Sequence, residues 1–250
     1  MALVEFEVKD RIAYITLNRP EKMNAVNQEM LQSLIDYFTE VKDNPDIWVA
    51  IITGTGKAFS SGHDLSHASF GKKGPRAYDL YTLLPRIYKP IIAAINGICL
   101  AQGCGLALST DIQIASENAK FGWPQVKRGI SSVSGPTILA RRVPLNIAFD
   151  YLFTGEFIDA QEAYRWGLVN KVVKHEELMP AAEEKARQIL ENAPLAVRAM
   201  KEATLLTRYM RDYEAQLVAT RIIDELSKTE DAQEGIRAFQ EKRKPVWKGR

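Results

Sequence analysis

Residues 90–111 read Pro-Ile-Ile-Ala-Ala-Ile-Asn-Gly-Ile-Cys-Leu-Ala-Gln-Gly-Cys-Gly-Leu-Ala-Leu-Ser-Thr-Asp. Ile91, Ile92 and Ile95 form a short apolar run of the kind a strand buried on both faces carries. Asn96-Gly97 breaks the run as a turn dipeptide. Gly103 and Gly105 then precede Leu106, Ala107 and Leu108, which read as the start of a buried helix. A strand, a glycine-bearing turn and a helix start together let backbone N–H groups face an oxygen atom. The glycine spacing matches neither the dinucleotide fingerprint nor the phosphate loop with its Lys-Ser/Thr ending. A carbonyl or oxyanion site is one reading of this stretch, and tight packing of strand on helix is the other.

A second turn of the same build lies upstream. Trp48 to Thr53 is a near-continuous apolar run, followed by Gly54-Thr55-Gly56-Lys57-Ala58-Phe59-Ser60-Ser61-Gly62-His63-Asp64-Leu65. Both turns follow the carboxyl ends of strands, where open α/β sheets place their ligands. Around them the chain alternates strand and helix. Val4, Phe6 and Val8 alternate with charged residues as a half-buried strand, and Ile12 to Leu17 is its hairpin partner. Asn27 caps a helix running to Asp43 with Met30, Leu31, Leu34, Ile35, Phe38 and Val41 on one face. The pattern is that of an α/β fold with parallel strands.

Ser66 to Pro75 reads as a polar loop and Ala77 to Tyr88 as a helix carrying Pro85. Ile112 to Ala115 is a strand, Phe121-Gly122-Trp123-Pro124 a turn, and Gly129 to Pro136 a small-residue loop. Asp159 opens a further helix with Glu162 as capping partner, Gly167 closes it, and Val169 to Val173 follows as a strand. From Pro180 onward the chain is helical.

Of the 250 residues, 46% are hydrophobic and 26% charged, an ordinary globular balance. A net charge of +2, from 33 basic and 31 acidic residues, gives no footprint for nucleic acid or a membrane surface. Cys99 and Cys104 sit inside the apolar stretch and read as buried thiols rather than a disulfide or metal site. With no signal-peptide pattern at the N-terminus and no apolar run near ~20 residues, the expectation is a cytoplasmic protein.

Taken with their flanks, the two turns resemble the crotonase (enoyl-CoA hydratase/isomerase) superfamily. The matching pieces are Leu17-Asn18-Arg19-Pro20 with Asn24-Ala25, Ala58 to Leu65, Pro90 to Gly97, Gly103-Cys104, Asp111-Ile112 and Phe121-Gly122. Phe153-Thr154-Gly155, Ala160 to Ala163, Trp166 to Val169 and Glu234 to Phe239 continue the match in order along nearly the whole chain. Gly62 to Leu65, Gly103-Cys104 and the ending Lys242 to Trp247 look most like the enoyl-CoA hydratase domain-containing protein 3 group.

The resemblance implies a spiral of ββα turns over residues 1–190 and a C-terminal helical trimerisation region over residues 191–250. It implies binding of an acyl-CoA thioester, assembly as a homotrimer or dimer of trimers, and no cofactor beyond the coenzyme A carried by the substrate. Two backbone N–H groups are to hold the thioester oxygen, and these fall on His63 and Gln102. Only the backbone of His63 is required. The second position is usually glycine, and Gln102 adds a side chain there. Coenzyme A contacts fall on Lys22, Ala25, Ser61, His63, Asp64 and Leu65.

The acid–base residues depart from the family. Hydratases use two glutamates facing one water, and those positions read Gly105 and Gln125 here. The carboxylate of isomerase-type relatives reads Val133. Glycine and valine transfer no protons, and Gln125 can orient a water but not deprotonate it. Other polar residues nearby in sequence are His67, Ser131, Ser132 and Ser134. Three functions remain open on this reading. One is a hydratase-like reaction relying on Gln125, and another is different enolate chemistry such as decarboxylation or thioester hydrolysis. The third is a non-catalytic acyl-CoA binder. A dinucleotide-dependent oxidoreductase lacks the acidic residue that follows a proper glycine fingerprint.

Overall fold

The structure is a computed structural model that describes residues 2–65 and 74–250. Ser66 to Lys73, including His67 and most of the expected polar loop, lie outside the described residues.

The chain opens with a hairpin of β1 (Val4–Lys9) and β2 (Ile12–Leu17). Its turn residues Asp10 and Arg11 both have positive φ, 51° and 67°, which matches the twist of the strands they join. Helix α1 (Gln28–Asp43) follows; its cap Asn27 accepts from the Met30 N–H, and Leu34, Phe38 and Val41 are buried. Then come β3 (Val49–Gly54), β4 (Ala58–Ser60), α2 (Ala77–Leu83), β5 (Ile91–Ile95), β6 (Ile98–Leu100) and α3 (Gln102–Leu108). They are followed by β7 (Ile112–Ser116), β8 (Lys120–Gly122), α4 (Ser134–Thr137), α5 (Leu145–Thr154), β9 (Phe157–Asp159), α6 (Ala160–Arg165) and β10 (Lys171–Val173). The chain ends in α7 (Leu178–Leu190), α8 (Pro194–Thr207), α9 (Asp212–Ser227) and α10 (Glu230–Gln240).

Among the described residues the strands form two sheets, one in the order β1-β2-β3-β5-β7-β10 and one in the order β4-β6-β8-β9. Apart from β1 the large sheet is parallel. Three successive units, β3-β4-α2, β5-β6-α3 and β7-β8-α4, each lay one strand in the large sheet, the next in the small sheet, and then a helix. That repeat is the ββα spiral.

The large sheet is covered on both faces. Ile15, Leu17, Ile52, Ala93 and Ile95 face the main core with α1, whereas Ile12, Val49, Ile51, Ile92 and Ile114 pack against Leu178, Ala182 and Ala186 of α7. Two buried faces explain why β3 and β5 read as unbroken apolar runs. Among the described residues no helix is long and apolar enough to cross a membrane.

Several local expectations need correction. Helix α3 begins at Gln102, so Gly103 and Gly105 lie inside it, and Ile98–Leu100 is a strand rather than part of a turn. Phe121-Gly122 is likewise strand β8. Val8 is exposed, because β1 is the edge of the large sheet. The helix expected to reach Tyr88 stops at Leu83 and continues only as the 3₁₀ turn Leu84–Arg86, since Pro85 brings no N–H to an α-helical ladder.

Candidate active site

The two glycine turns meet. A Cβ placed on Gly62 would lie 2.9 Å from the Ala101 Cβ and 3.4 Å from the Gln102 nitrogen. Gly62 also has φ +103°, so a side chain here is excluded by both space and conformation. The Gly62 carbonyl accepts from the Val26 N–H at 2.7 Å, and the Asp64 N–H donates to the Val26 carbonyl at 3.0 Å. A trans peptide points its N–H opposite to the preceding carbonyl. The His63 N–H therefore faces away from Val26.

The same geometry holds at Gln102. The Ala101 carbonyl accepts from the Gly105 N–H at 3.1 Å and from the Ser134 hydroxyl at 3.1 Å, which turns the Gln102 N–H the other way. Neither amide meets a hydrogen-bond acceptor among the described residues. Ala101 itself sits at φ 53°, ψ −111°, a conformation that costs on the order of 1–3 kcal/mol for a residue with a Cβ. Its N–H donates to the Gly122 carbonyl at 2.8 Å, so both sides of Ala101 are tied down. Strain held this way sets the direction of the next N–H.

Gly105 faces a hydroxyl. A Cβ on this residue would stand 2.3 Å from the Tyr81 Oη and 2.7 Å from the Ser134 Cβ. Tyr81 donates to the Gln102 carbonyl at 3.3 Å. Ser134 in turn accepts from Trp123 Nε1 at 3.2 Å and lies 3.2 Å from the Ser132 hydroxyl. Burial pushes the Tyr81 phenol well above its ordinary pKa, so it stays protonated and acts as a donor. Sequence reasoning gave no sign of Tyr81, which comes from α2. Ser131 and Val133 are exposed, whereas Ser134 is buried in this cluster.

The two glutamines are the unusual side chains. Gln102 is 7% exposed, and both its Oε1 and Nε2 are buried without a partner. Gln125, in the 3₁₀ turn Pro124–Arg128 after β8, also buries an unpartnered Oε1.

The expected coenzyme A residues gather on one wall. Ser61 N–H donates to the Met23 carbonyl at 2.9 Å, and its hydroxyl reaches the Lys22 carbonyl at 3.4 Å. Asn24 has φ 53° and ties this loop to the following turn through the Thr55 and Ala58 carbonyls at 3.0 and 2.8 Å. Lys22 and Leu65 are exposed, and Ala25 is half-buried. Asp64 differs from expectation: it is 6% exposed, and its carboxylate is engaged by Arg19 Nη1 at 2.6 Å. Arg19 also donates to the Ala25 carbonyl at 3.0 Å. The Asp64 side chain thus locks the wall together rather than standing free for a ligand. A separate cleft of about 330 Å³, lined by Ile112, Ile114, Lys171 and Lys185 among others, lies on the α7 side of the sheet and contains none of these residues.

This fold and its paired turns define a class, and the chain's relatives agree on it. The family model "Enoyl-CoA hydratase/isomerase" matches residues 7–250. The chain is 39% identical to (E)-benzylidenesuccinyl-CoA hydratase of Thauera aromatica, covering 98% of this chain and 99% of that protein. It is 40% identical to carnitinyl-CoA dehydratase of Citrobacter koseri, over 96% of this chain and 95% of the other. The enoyl-CoA hydratase structure from Mycobacterium tuberculosis superposes with a TM-score of 0.93 at 34% identity, covering 100% of both chains. The chain belongs to the enoyl-CoA hydratase/isomerase family, the crotonase superfamily.

Proposed function

We propose that this protein binds an acyl-CoA thioester and catalyses a hydratase-type reaction, adding water to or removing it from a 2-enoyl-CoA. The observation that carries the reading is the pair of unengaged amides, His63 and Gln102, on turns that touch through Gly62 and Ala101. When water adds at C3, the electron pair of the double bond moves onto the thioester oxygen. Two amides aimed at that oxygen stabilise the enolate more than the neutral ester, and one such donor is worth about 3–4 kcal/mol. The relatives named above act as a hydratase and a dehydratase on CoA esters, which supports the same direction.

Proton handling differs from that of a two-glutamate site. Gln125 Oε1 accepts from the attacking water and orients it. As the water oxygen bonds to C3 it gives up one proton and C2 gains one, so the addition balances with no net proton exchanged. Tyr81 and Ser134 spend their hydroxyl hydrogens on the Gln102 and Ala101 carbonyls and hold that turn. Lys22, Ala25, Ser61 and Leu65 line the coenzyme A path, with Asp64 bracing it. Coenzyme A enters as part of the substrate and no other cofactor is invoked. The large apolar side chains left exposed on the C-terminal helices, Tyr213, Leu217 and Ile223 of α9 and Ile236 and Phe239 of α10, support a homotrimer or dimer of trimers built through residues 191–250.

Tyr81 at the position facing Gly105 favours a second reading. Decarboxylation of a malonyl-type ester breaks the bond from C2 to its carboxylate, sends the electron pair to the thioester oxygen, and then needs only one proton at C2. It requires no base. Mass spectrometry of crotonyl-CoA and malonyl-type esters incubated with the protein separates the readings. Gain of water supports the first and loss of carbon dioxide the second. Saturable binding with no change in any ester would reduce the protein to a binder.

A further inference from the structure

A buried amide without partners forfeits its hydration and costs about 1–3 kcal/mol, and nine in ten or more buried polar groups avoid this. Among the described residues five buried side-chain atoms have no partner, and three of them belong to Gln102 and Gln125. These are the two residues already placed on the proposed site. Elsewhere in the same region Asn24 and Ser134 each make more than one hydrogen bond, and the other two unpartnered atoms are Gln28 Oε1 and Asn96 Oδ1. The loss is concentrated where a substrate would lie.

We infer that Gln102 reads a hydrogen-bonding substituent on the acyl group, so that the protein selects acyl-CoA esters carrying a hydroxyl, carboxylate or amide over plain alkyl ones. This rests on the CoA-ester reading above. Gln102 supplies the backbone N–H assigned to the thioester oxygen, so its side chain starts beside the carbonyl and reaches only the first few carbons of the acyl chain. The substituent it reads therefore lies close to the thioester. Its Nε2 donates to an acceptor on that substituent while Oε1 takes a donor, from a hydroxyl or amide or from a water held with it. A site with buried polar groups rejects an alkyl analogue because those groups are then left unpaired. Gln125, with its own unpartnered oxygen, offers a second acceptor.

The test measures dissociation constants by calorimetry for butyryl-CoA, succinyl-CoA and the corresponding amide, succinamoyl-CoA, with free coenzyme A as reference. Wild-type protein is expected to bind at least one polar ester about 10–100-fold more tightly than butyryl-CoA. In Gln102→Met, which keeps the backbone N–H and a similar volume, that ratio is expected to collapse towards one. The variant's melting temperature should rise, because an unpaired amide has been removed. Equal affinities in the wild type, or a ratio that survives in Gln102→Met, would overturn the inference while leaving the CoA-ester reading intact. The second result would mean that water satisfies the glutamine. If no ester binds better than free coenzyme A, the proposed function fails with it.

Discussion

At the residue scale the site is defined as much by one absent side chain as by those present. That Gly105 and Gln125 stand where hydratases carry their two glutamates is a reading from the family resemblance, and the proposed function rests on it. What fills the space was not legible. Tyr81 lies on a different helix with no pattern to flag it, yet its hydroxyl occupies the volume a Cβ at position 105 needs. Restoring a glutamate at Gly105 is therefore more than a chemical change. Gly105→Glu alone is expected to destabilise the fold by roughly 1–3 kcal/mol through overpacking. In a Tyr81→Ala background the same substitution should cost at least about 1 kcal/mol less, a coupling that a double-mutant cycle in urea reads directly. Additive effects would mean that the two positions do not meet.

At the scale of elements, legibility followed length and burial. β3 and β5 are buried on both faces and announce themselves as apolar runs, and α1 shows both its periodicity and its Asn27 cap. The small sheet was missed: β4, β6, β8 and β9 are three residues each, too short to show alternation. Its rungs include Ala58, Ile98 and Phe121, residues that in the sequence look like parts of turns. Asp111 accepts from the Ile91 N–H at 2.8 Å and from Lys201 at 2.6 Å, so this residue of the family match ties β5 to α8.

Close by, Lys89 is buried and donates to the Asn44 carbonyl beyond the end of α1. Burial, with help from Arg198, lowers its pKa from 10.5 to about 8. Between those two values the unfolded chain holds the proton and the folded chain does not, so the lysine's contribution to stability rises with pH across that window. Urea midpoints are expected to climb from pH 7.5 to 9.5 in the wild type and to climb less in Lys89→Met. An identical rise in the variant would place the effect elsewhere.

At the scale of the whole molecule, the helical C-terminal region was readable from the sequence, but what it covers was not, since an amphipathic helix suits a core or a partner equally. The structure leaves Phe239 86% and Tyr213 73% exposed, and no residue of α9 is buried. The tail itself is firmly held: Asp231 accepts from the Lys248 and Gly249 N–H groups at 2.7 and 2.8 Å. On the proposed assembly, Leu217→Glu with Phe239→Glu should shift the sedimentation coefficient from that of a trimer or hexamer to that of a monomer. A wild type that already sediments as a monomer would remove the assembly proposal.

The central claim is that the His63 and Gln102 amides hold a thioester oxygen, and isotope-edited infrared spectroscopy addresses it most directly. Crotonyl-CoA labelled with carbon-13 at its carbonyl reports its own stretch within the complex. Two hydrogen bonds to the oxygen should move that band to lower wavenumber on binding, and Gly62→Ala, which pushes the two turns apart, should abolish the shift. A bound ester whose carbonyl band stays at its position in free solution would contradict the account.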